Sequence, residues 1–220
     1  MMKEFLEKLL DLFFPPRCPF CRRILKDSEG LLCGKCLRTL PRAKGSECAQ
    51  KFRHLNLCLS PLYYEDDVRR SLLRFKFGGM SIYAPKYAEL MAECLLENEC
   101  SFEVITWAPL GRKRLKKRGY DQARLLAEEL AERLGKPCEQ LLNKCADNPP
   151  QSGTGSPEKR RKNVSGVYRA SDPERIRGRS ILLVDDIVTT GATLSECARV
   201  LKASGAKSVC AATLARSRIG

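Results

Sequence analysis

Between residues 119 and 135, apolar side chains recur at Ala123, Leu126, Ala127, Leu130, Ala131 and Leu134, spaced to share one face of an α-helix. Asp121 stands where an N-cap accepts from the free N–H groups of the first turn, and Gly135 with Pro137 ends the pattern. Short apolar runs without alternation flank it: Phe102 to Ala108, Ser180 to Val184, and Ser208 to Ala215. Such runs suit strands of a parallel sheet covered by helices. Thr193-Leu-Ser-Glu196 reads as a capping box opening another helix, which Gly205 stops. From about residue 61 strands and helices alternate, which predicts a doubly wound α/β domain over 61–220. Residues 143–163 follow neither period. A connection longer than about 12–15 residues within a domain is usually a lid or a linker. The alternation resumes after it, so a lid over a ligand site is expected.

The first 60 residues have another character. Phe5-Leu6, Leu9-Leu10 and Phe13-Phe14 are interrupted by Glu4, Glu7 and Asp11, and no small-residue cleavage site follows, so a docking helix is expected rather than a signal peptide. Then come Cys18-Pro-Phe-Cys21, eleven further residues, and Cys33-Gly-Lys-Cys36. Two CxxC knuckles supply the four thiolates of a closed tetrahedral zinc site, and a module this small needs such a site to fold. Cys48 and Cys58 lack CxxC partners, and the remaining six cysteines read as small core residues. His54 is the only histidine and reads as an exposed loop residue, which leaves Ser-His-Asp chemistry without support.

Composition sharpens this picture. Hydrophobic residues make up 43% of the 220 and charged residues 30%, enough apolar surface to bury a core. No apolar stretch approaches the roughly 18 residues of a membrane helix, so membrane insertion is not expected. The net charge of +14 is concentrated: 12 basic against 6 acidic residues in 1–60, and 15 against 8 in 101–170. Such blocks point to an anionic partner, either nucleic acid or a heavily phosphorylated small molecule. Twelve cysteines without a secretory segment favour a reducing, cytoplasmic setting.

The most informative segment begins at Ile181 and ends at Thr193. A strand delivers Asp185 and Asp186 to its C-terminal end, where α/β sheets bind ligands. Thr189, Thr190, Gly191, Ala192 and Thr193 then lead into a helix N-terminus, whose N–H groups favour a phosphate. Gly191 allows close approach of the backbone. The carboxylates would repel a phosphate at contact, so they belong one sugar away, accepting from ribose hydroxyls. One loop would thus hold a ribose 5-phosphate. Neither a P-loop nor a dinucleotide glycine motif is present.

Val184 to Thr193 resembles the phosphoribosyl pyrophosphate (PRPP) signature of type I phosphoribosyltransferases. With the cysteine ribbon ahead of it, the chain is similar to the ComF family, named for late competence proteins. Trp107-Ala-Pro109-Leu110 with Arg114, Arg118, Gly119, Tyr120 and Gln122 is similar to a family segment, as is Leu73 to Gly78 around Lys76. Gln151, Arg160, Asn163-Val164 and Gly166 to Tyr168 match its flexible-loop pattern. In place of a second CxxC pair, common in ComF relatives, the chain has only Cys48 and Cys58.

The resemblance implies a type I phosphoribosyltransferase fold, a parallel sheet flanked by helices, carrying a small N-terminal cysteine-rich zinc ribbon. It implies an N-terminal helix and ribbon over 1–60, and a transferase-like domain over 61–220 with its lid at 143–163. The ligand would be PRPP with magnesium, or a nucleotide, and pyrophosphate would leave C1 as an acceptor attacks. Positioning, metal and cations would carry that catalysis, with Asp185, Asp186 and Arg114 at its centre. Arg112, Lys113 and Arg114 would meet pyrophosphate, with Lys76, Arg118 and Arg160 as further contacts. Structural zinc would sit on Cys18, Cys21, Cys33 and Cys36.

Arg112 to Arg118 holds six cations in seven residues. A solvated helix end, a pyrophosphate loop widening into a basic surface, and a nucleic-acid groove all fit this run. Two functions therefore stand side by side. One is a phosphoribosyltransferase whose ribbon recruits its target. The other is a non-catalytic, single-stranded DNA-binding protein that keeps the fold and works with competence or recombination proteins.

Overall fold

The computed structural model describes residues 15–26, 30, 32–145 and 166–218. A six-stranded sheet organises the chain. At its centre lie β7 (Ser180–Val188) and β8 (Ser208–Arg216), parallel and in a register that sets Asp185 beside Thr213. Parallel β4 (Val104–Trp107) flanks β7. On the other side of β8 run β2 (Leu57–Leu59) and then β3 (Leu62–Tyr63), both parallel to it, and β1 (Ala49–Gln50) adds antiparallel to β2. The break between β2 and β3 is chemical: Pro61 has no N–H to give the ladder. The buried Ser60 and Thr213 hydroxyls hydrogen-bond across it at 2.7 Å.

Alternation along the central strands separates two cores. Leu182, Val184, Ala212 and Leu214 face a cluster containing Ala123, Leu126, Ala127 and Leu130 of one helix and Tyr87, Leu90 and Met91 of another. These are α5 (Gln122–Leu134) and α3 (Ala84–Glu97). Ile181, Leu183, Val209 and Ala211 face Leu194, Cys197, Ala198 and Leu201 of α6 (Ala192–Ala203). Helices thus cover both faces, the arrangement expected of apolar strands without alternating polarity.

The cysteine module is seated against this domain. Its short helix α1 (Gly34–Thr39) begins at the second knuckle. The Phe20 ring lies 5.8 Å from Tyr87. Arg74 of α2 (Asp66–Phe77) donates to the carbonyls of Pro19 and Phe20 at 2.8 Å each, and the Ser71 hydroxyl donates to Pro19. Gly78 closes α2: a Cβ there would lie 2.9 Å from the Arg74 carbonyl oxygen.

Several expectations are refined. The strand expected at 180–184 runs on to Val188, so both aspartates belong to it. The basic run is a separate helix, α4 (Arg112–Arg118), closed by Gly119 at φ +81°. The capping box is not formed. Gly191 is the N-cap of α6, Thr193 lies inside the helix, and the Glu196 carboxylate is engaged by Gly166 N–H and Arg199. The expected lid range opens in ordered backbone: β5 (Leu142–Lys144) pairs antiparallel with β6 (Tyr168–Ala170). Residues 146–165, and with them Gln151, Arg160 and Asn163, lie outside the described residues, as does the N-terminal helix expected in 1–14. Among the described residues, no helix is long and apolar enough to cross a membrane.

Candidate functional site

The Sγ atoms of Cys18, Cys21, Cys33 and Cys36 lie within 4.8 Å of one another, with Cys21 and Cys33 at 3.5 Å. A tetrahedral zinc bound at about 2.3 Å to each sulfur needs them roughly 3.8 Å apart. The donor set therefore fits structural zinc. Cys18, Cys33 and Cys36 are buried, and Arg22 at φ +65° makes the tight turn of the first knuckle. Cys48 and Cys58 take no part: the Cys48 thiol donates to the Ala43 carbonyl at 2.9 Å, and Cys58 is buried within β2. Of the cysteines expected in the core, Cys94 and Cys197 are buried, but Cys145 is exposed. His54 is exposed, as expected.

A second site lies where β7 and β4 end. A cavity of about 200 Å³ is lined by Asp185, Asp186, Thr189 and Thr193 from the β7–α6 segment, Lys76 from α2, and Arg114 and Arg118 from α4. Asp121, Gln122, Lys144 and Tyr168 complete its polar wall. The Lys76 ammonium meets the Asp186 carboxylate at 2.9 Å, and both side chains are largely withdrawn from water. Asp185 accepts the Asp186 N–H at 2.8 Å. Burial, reinforced by the charge of Asp186, pushes the Asp185 carboxyl up to about 7, against the opposing pull of Lys76. The site thus has one carboxylate tied to a cation and one poised to hold a proton.

Helical geometry sorts the basic run. Arg114 and Arg118, four residues apart, share the face that lines the cavity, whereas Arg112, Lys113, Lys116 and Lys117 are exposed. Arg112 borders an adjoining recess of about 760 Å³ that shares Pro109, Leu110 and Lys144 with the cavity. Arg118 donates to Gln122 Oε1 at 2.7 Å; burial lowers its pKa, while Asp186 opposes that change. Asp121 holds this wall in place. Its carboxylate accepts from the Leu110 N–H at 2.8 Å, and also from Ala123 and Arg124 at the start of α5. Burial raises its pKa.

Thr189 and Thr193 line the cavity; Thr190, Gly191 and Ala192 form the turn beside it. Gly191 sits at φ +68° under the ring of Phe52, where a Cβ would lie 2.2 Å from a ring carbon. Only glycine satisfies both constraints. The helix that follows carries Thr193 in its first turn and has no acidic residue there to offset the positive end of its dipole.

Sequence reasoning did not assign Asp121, Gln122, Lys144 or Tyr168 to the site. Lys144 and Tyr168 are cross-strand neighbours, with the ammonium 5.2 Å from the ring centroid. A three-residue strand after a stretch of sequence that follows neither period carries no periodicity of its own to reveal that pairing. Asp121 was legible only as a helix cap, and Gln122 only as part of the segment that resembles the family's.

Two parts of the chain match known families. Residues 121–220 match the phosphoribosyl transferase domain family, and residues 9–60 match the double zinc ribbon domain family. The chain is 30% identical to competence protein ComFC of Bacillus subtilis over 91% of its own length and 84% of that protein. It is 26% identical to competence protein F of Haemophilus influenzae, over 93% and 99%. It is 28% identical to the DNA utilization protein YhgH of Salmonella typhimurium, over 90% and 96%.

Proposed function

The chain belongs to the ComF family, and from that premise we propose that the cavity at the end of β7 binds the ribose 5-phosphate part of PRPP, or of a nucleotide, with magnesium. One observation carries this reading. Asp185 and Asp186, the hydroxyls of Thr189 and Thr193, and the cations Lys76, Arg114, Arg118 and Lys144 all line a single cavity at a helix N-terminus. The 5-phosphate would take the N–H groups and hydroxyls at the α6 turn. Asp185 and Asp186 would engage the ribose hydroxyls, and Arg114, Arg118 and Lys144 would face a diphosphate, which the adjoining recess at Arg112 leaves room to extend. The carboxylate oxygens are ligands of the kind magnesium takes, and bound metal would neutralise charge on the leaving diphosphate.

On this reading the protein is a ComF-type, phosphoribosyltransferase-like protein. No side chain has to act as nucleophile: Arg114 and Arg118 stabilise the departing charge, and the cavity walls hold the sugar for attack at C1. The zinc ribbon, within 1–60, recruits the target to the transferase-like domain over 61–220. The relatives' names, competence protein and DNA utilization protein, support a role in DNA uptake. The cytoplasm, where thiols stay reduced, is the setting this reading requires.

A second reading has its own support. The exposed cations Arg112, Lys113, Lys116 and Lys117 offer a polyanion a surface outside the cavity. They favour a protein that binds single-stranded DNA without turnover, alone or together with competence or recombination proteins.

Calorimetric titration of PRPP and magnesium into zinc-loaded protein, with the Asp185→Ala/Asp186→Ala variant alongside, separates the two. Saturable binding that the double variant loses supports the sugar-phosphate site. A folded wild type that ignores PRPP but binds single-stranded DNA with a steep salt dependence refutes it and favours the second reading.

A further inference from the structure

A groove of about 390 Å³ lies between the first cysteine knuckle and the turn that joins α2 to α3. Pro16, Pro19 and Leu25 form its wall on the knuckle side, and Met80, Ile82 and Tyr83 form the other. Ile82 is 78% exposed, whereas Tyr83 beside it is buried, its ring 6.0 Å from Tyr87. Arg17, Arg22 and Lys86 stand at the same groove, Lys86 paired with Glu89. The cavity at the end of β7 shares none of these residues.

Pro15 lines the groove too, and residues 1–14 run directly into it. The Pro16 carbonyl accepts the Leu25 N–H at 2.8 Å, which ties this entry point to the knuckle. In the sequence before it, Met2, Phe5, Leu6, Leu9 and Phe13 fall at i, i+3, i+4, i+7 and i+11, the spacing of one helical face. Glu4, Glu7, Lys8 and Asp11 fall opposite. Phe14 precedes a proline, a position that disfavours helix, so the pattern ends at the edge of the groove.

We propose that residues 1–14 form an amphipathic helix whose apolar face seats in this groove and braces the zinc ribbon against the sheet domain. Apolar anchors at i, i+3, i+4 and i+7 are how a helix fills such a groove. Attachment at Pro15 leaves no linker to span, and tethering of that kind gives an effective concentration of about millimolar, which a separate chain does not reach. A lipid surface suits the segment less. Interfacial membrane helices carry Lys and Arg on their polar face, and this segment has three acids against two lysines. The cations at the groove favour the same acidic face. Seated there, the helix touches both walls, so knuckle and sheet domain cannot part without releasing it.

The test places the photoreactive residue p-benzoylphenylalanine at Ile82 in the full, zinc-loaded chain, a position exposed enough to accept it. Irradiation, digestion and mass spectrometry identify what it captures. Protein mixed from isotopically light and heavy cultures separates capture within a chain from capture between chains. Residues 1–14 of the same chain should be the product. Leu96, 68% exposed near the far end of α3, is the control position and should not capture them. Each buried Leu or Phe anchor is worth about tenfold or more in the docking constant. Leu9→Asp/Phe13→Asp should therefore reduce capture at Ile82 to the level of the Leu96 control, in protein shown by circular dichroism and a zinc assay to be folded. Capture of another segment, equal capture from Leu96, or capture that survives the double variant overturns the proposal. Mixed-isotope products give the groove to a second copy and overturn docking within the chain. If Ile82 captures nothing and residues 1–14 carry the protein to phosphatidylglycerol vesicles in flotation, the segment is a lipid anchor and the proposal falls.

Discussion

Asp185→Asn should make the ligand-free protein more stable at neutral pH while abolishing the sugar-phosphate binding proposed for the cavity. In the folded protein the Asp185 carboxyl is raised from 3.8 to about 7, first by burial and then by Asp186. Each tenfold change in proton affinity is worth about 1.4 kcal/mol, so a change of this size corresponds to roughly 4 kcal/mol at most. Water that reaches the partly exposed side chain reduces this, and about 1–3 kcal/mol is the working expectation. The folded state holds this proton more tightly than the unfolded chain. Stability from this group is therefore greatest below about pH 4, and falls as pH rises through the window up to about 7. Asparagine does not titrate, and its Oδ1 can still accept the Asp186 N–H now bonded at 2.8 Å. Thermal unfolding followed by circular dichroism, with zinc saturating, should show the Asn variant gaining on wild type between pH 5.5 and 8. At about 2–4 °C per kcal/mol for a chain of this size, the Tm difference should reach roughly 2–12 °C at pH 8. A difference that does not change with pH, or a variant less stable than wild type at pH 8, would refute the reasoning.

Three other outcomes follow from the same geometry. Lys76→Met leaves Asp186 buried without its cation, and removing one member of such a pair costs about 3–5 kcal/mol; denaturant unfolding should show a larger loss at pH 8 than at pH 5.5, where Asp185, raised to about 7, holds its proton and no longer repels Asp186. Gly191→Ala drives a Cβ into Phe52 at φ +68° and should cost on the order of 1–3 kcal/mol. Adding Phe52→Ala should restore only the part due to the clash, a split that a double-mutant cycle measures. Cys36→Ser, or stripping with a strong zinc chelator, should lower the Tm of the whole chain; a metal assay and calorimetry on one sample would check this, and an unchanged Tm after metal loss would contradict it.

How much of this was legible beforehand depends on how each feature is encoded. The CxxC knuckles and the acidic end of β7 are local in sequence, so spacing alone pointed to zinc and to a sugar phosphate. The helix over 122–134 was equally plain, because Asp121 caps it and its stripe is regular. Arg112 to Arg118 was not, since a run of cations has no hydrophobic phase to show which side chains turn inward. Only the helical fold separates Arg114 and Arg118 from their neighbours. Strands of two or three residues, such as β2 and β3, owe their existence to β8 rather than to their own sequence. Glu196 illustrates tertiary override: the spacing suits a capping box, but Arg199 competes for the carboxylate within the helix and Gly166 supplies a partner that the local pattern cannot foresee.

The pairing of β2 and β3 with β8 also bears on how the molecule assembles. Ser60 and Thr213 meet across 153 residues of intervening chain, a separation that makes loop closure costly and ordering slow. β2 and β3 cannot complete their ladders until β8 exists. On a ribosome adding about 5–20 residues per second, those early strands would wait of the order of ten seconds with their edges open. During that interval the nascent chain is most exposed to mispairing and to chaperones. Lesions in β8 should therefore be felt first as lost yield of folded protein.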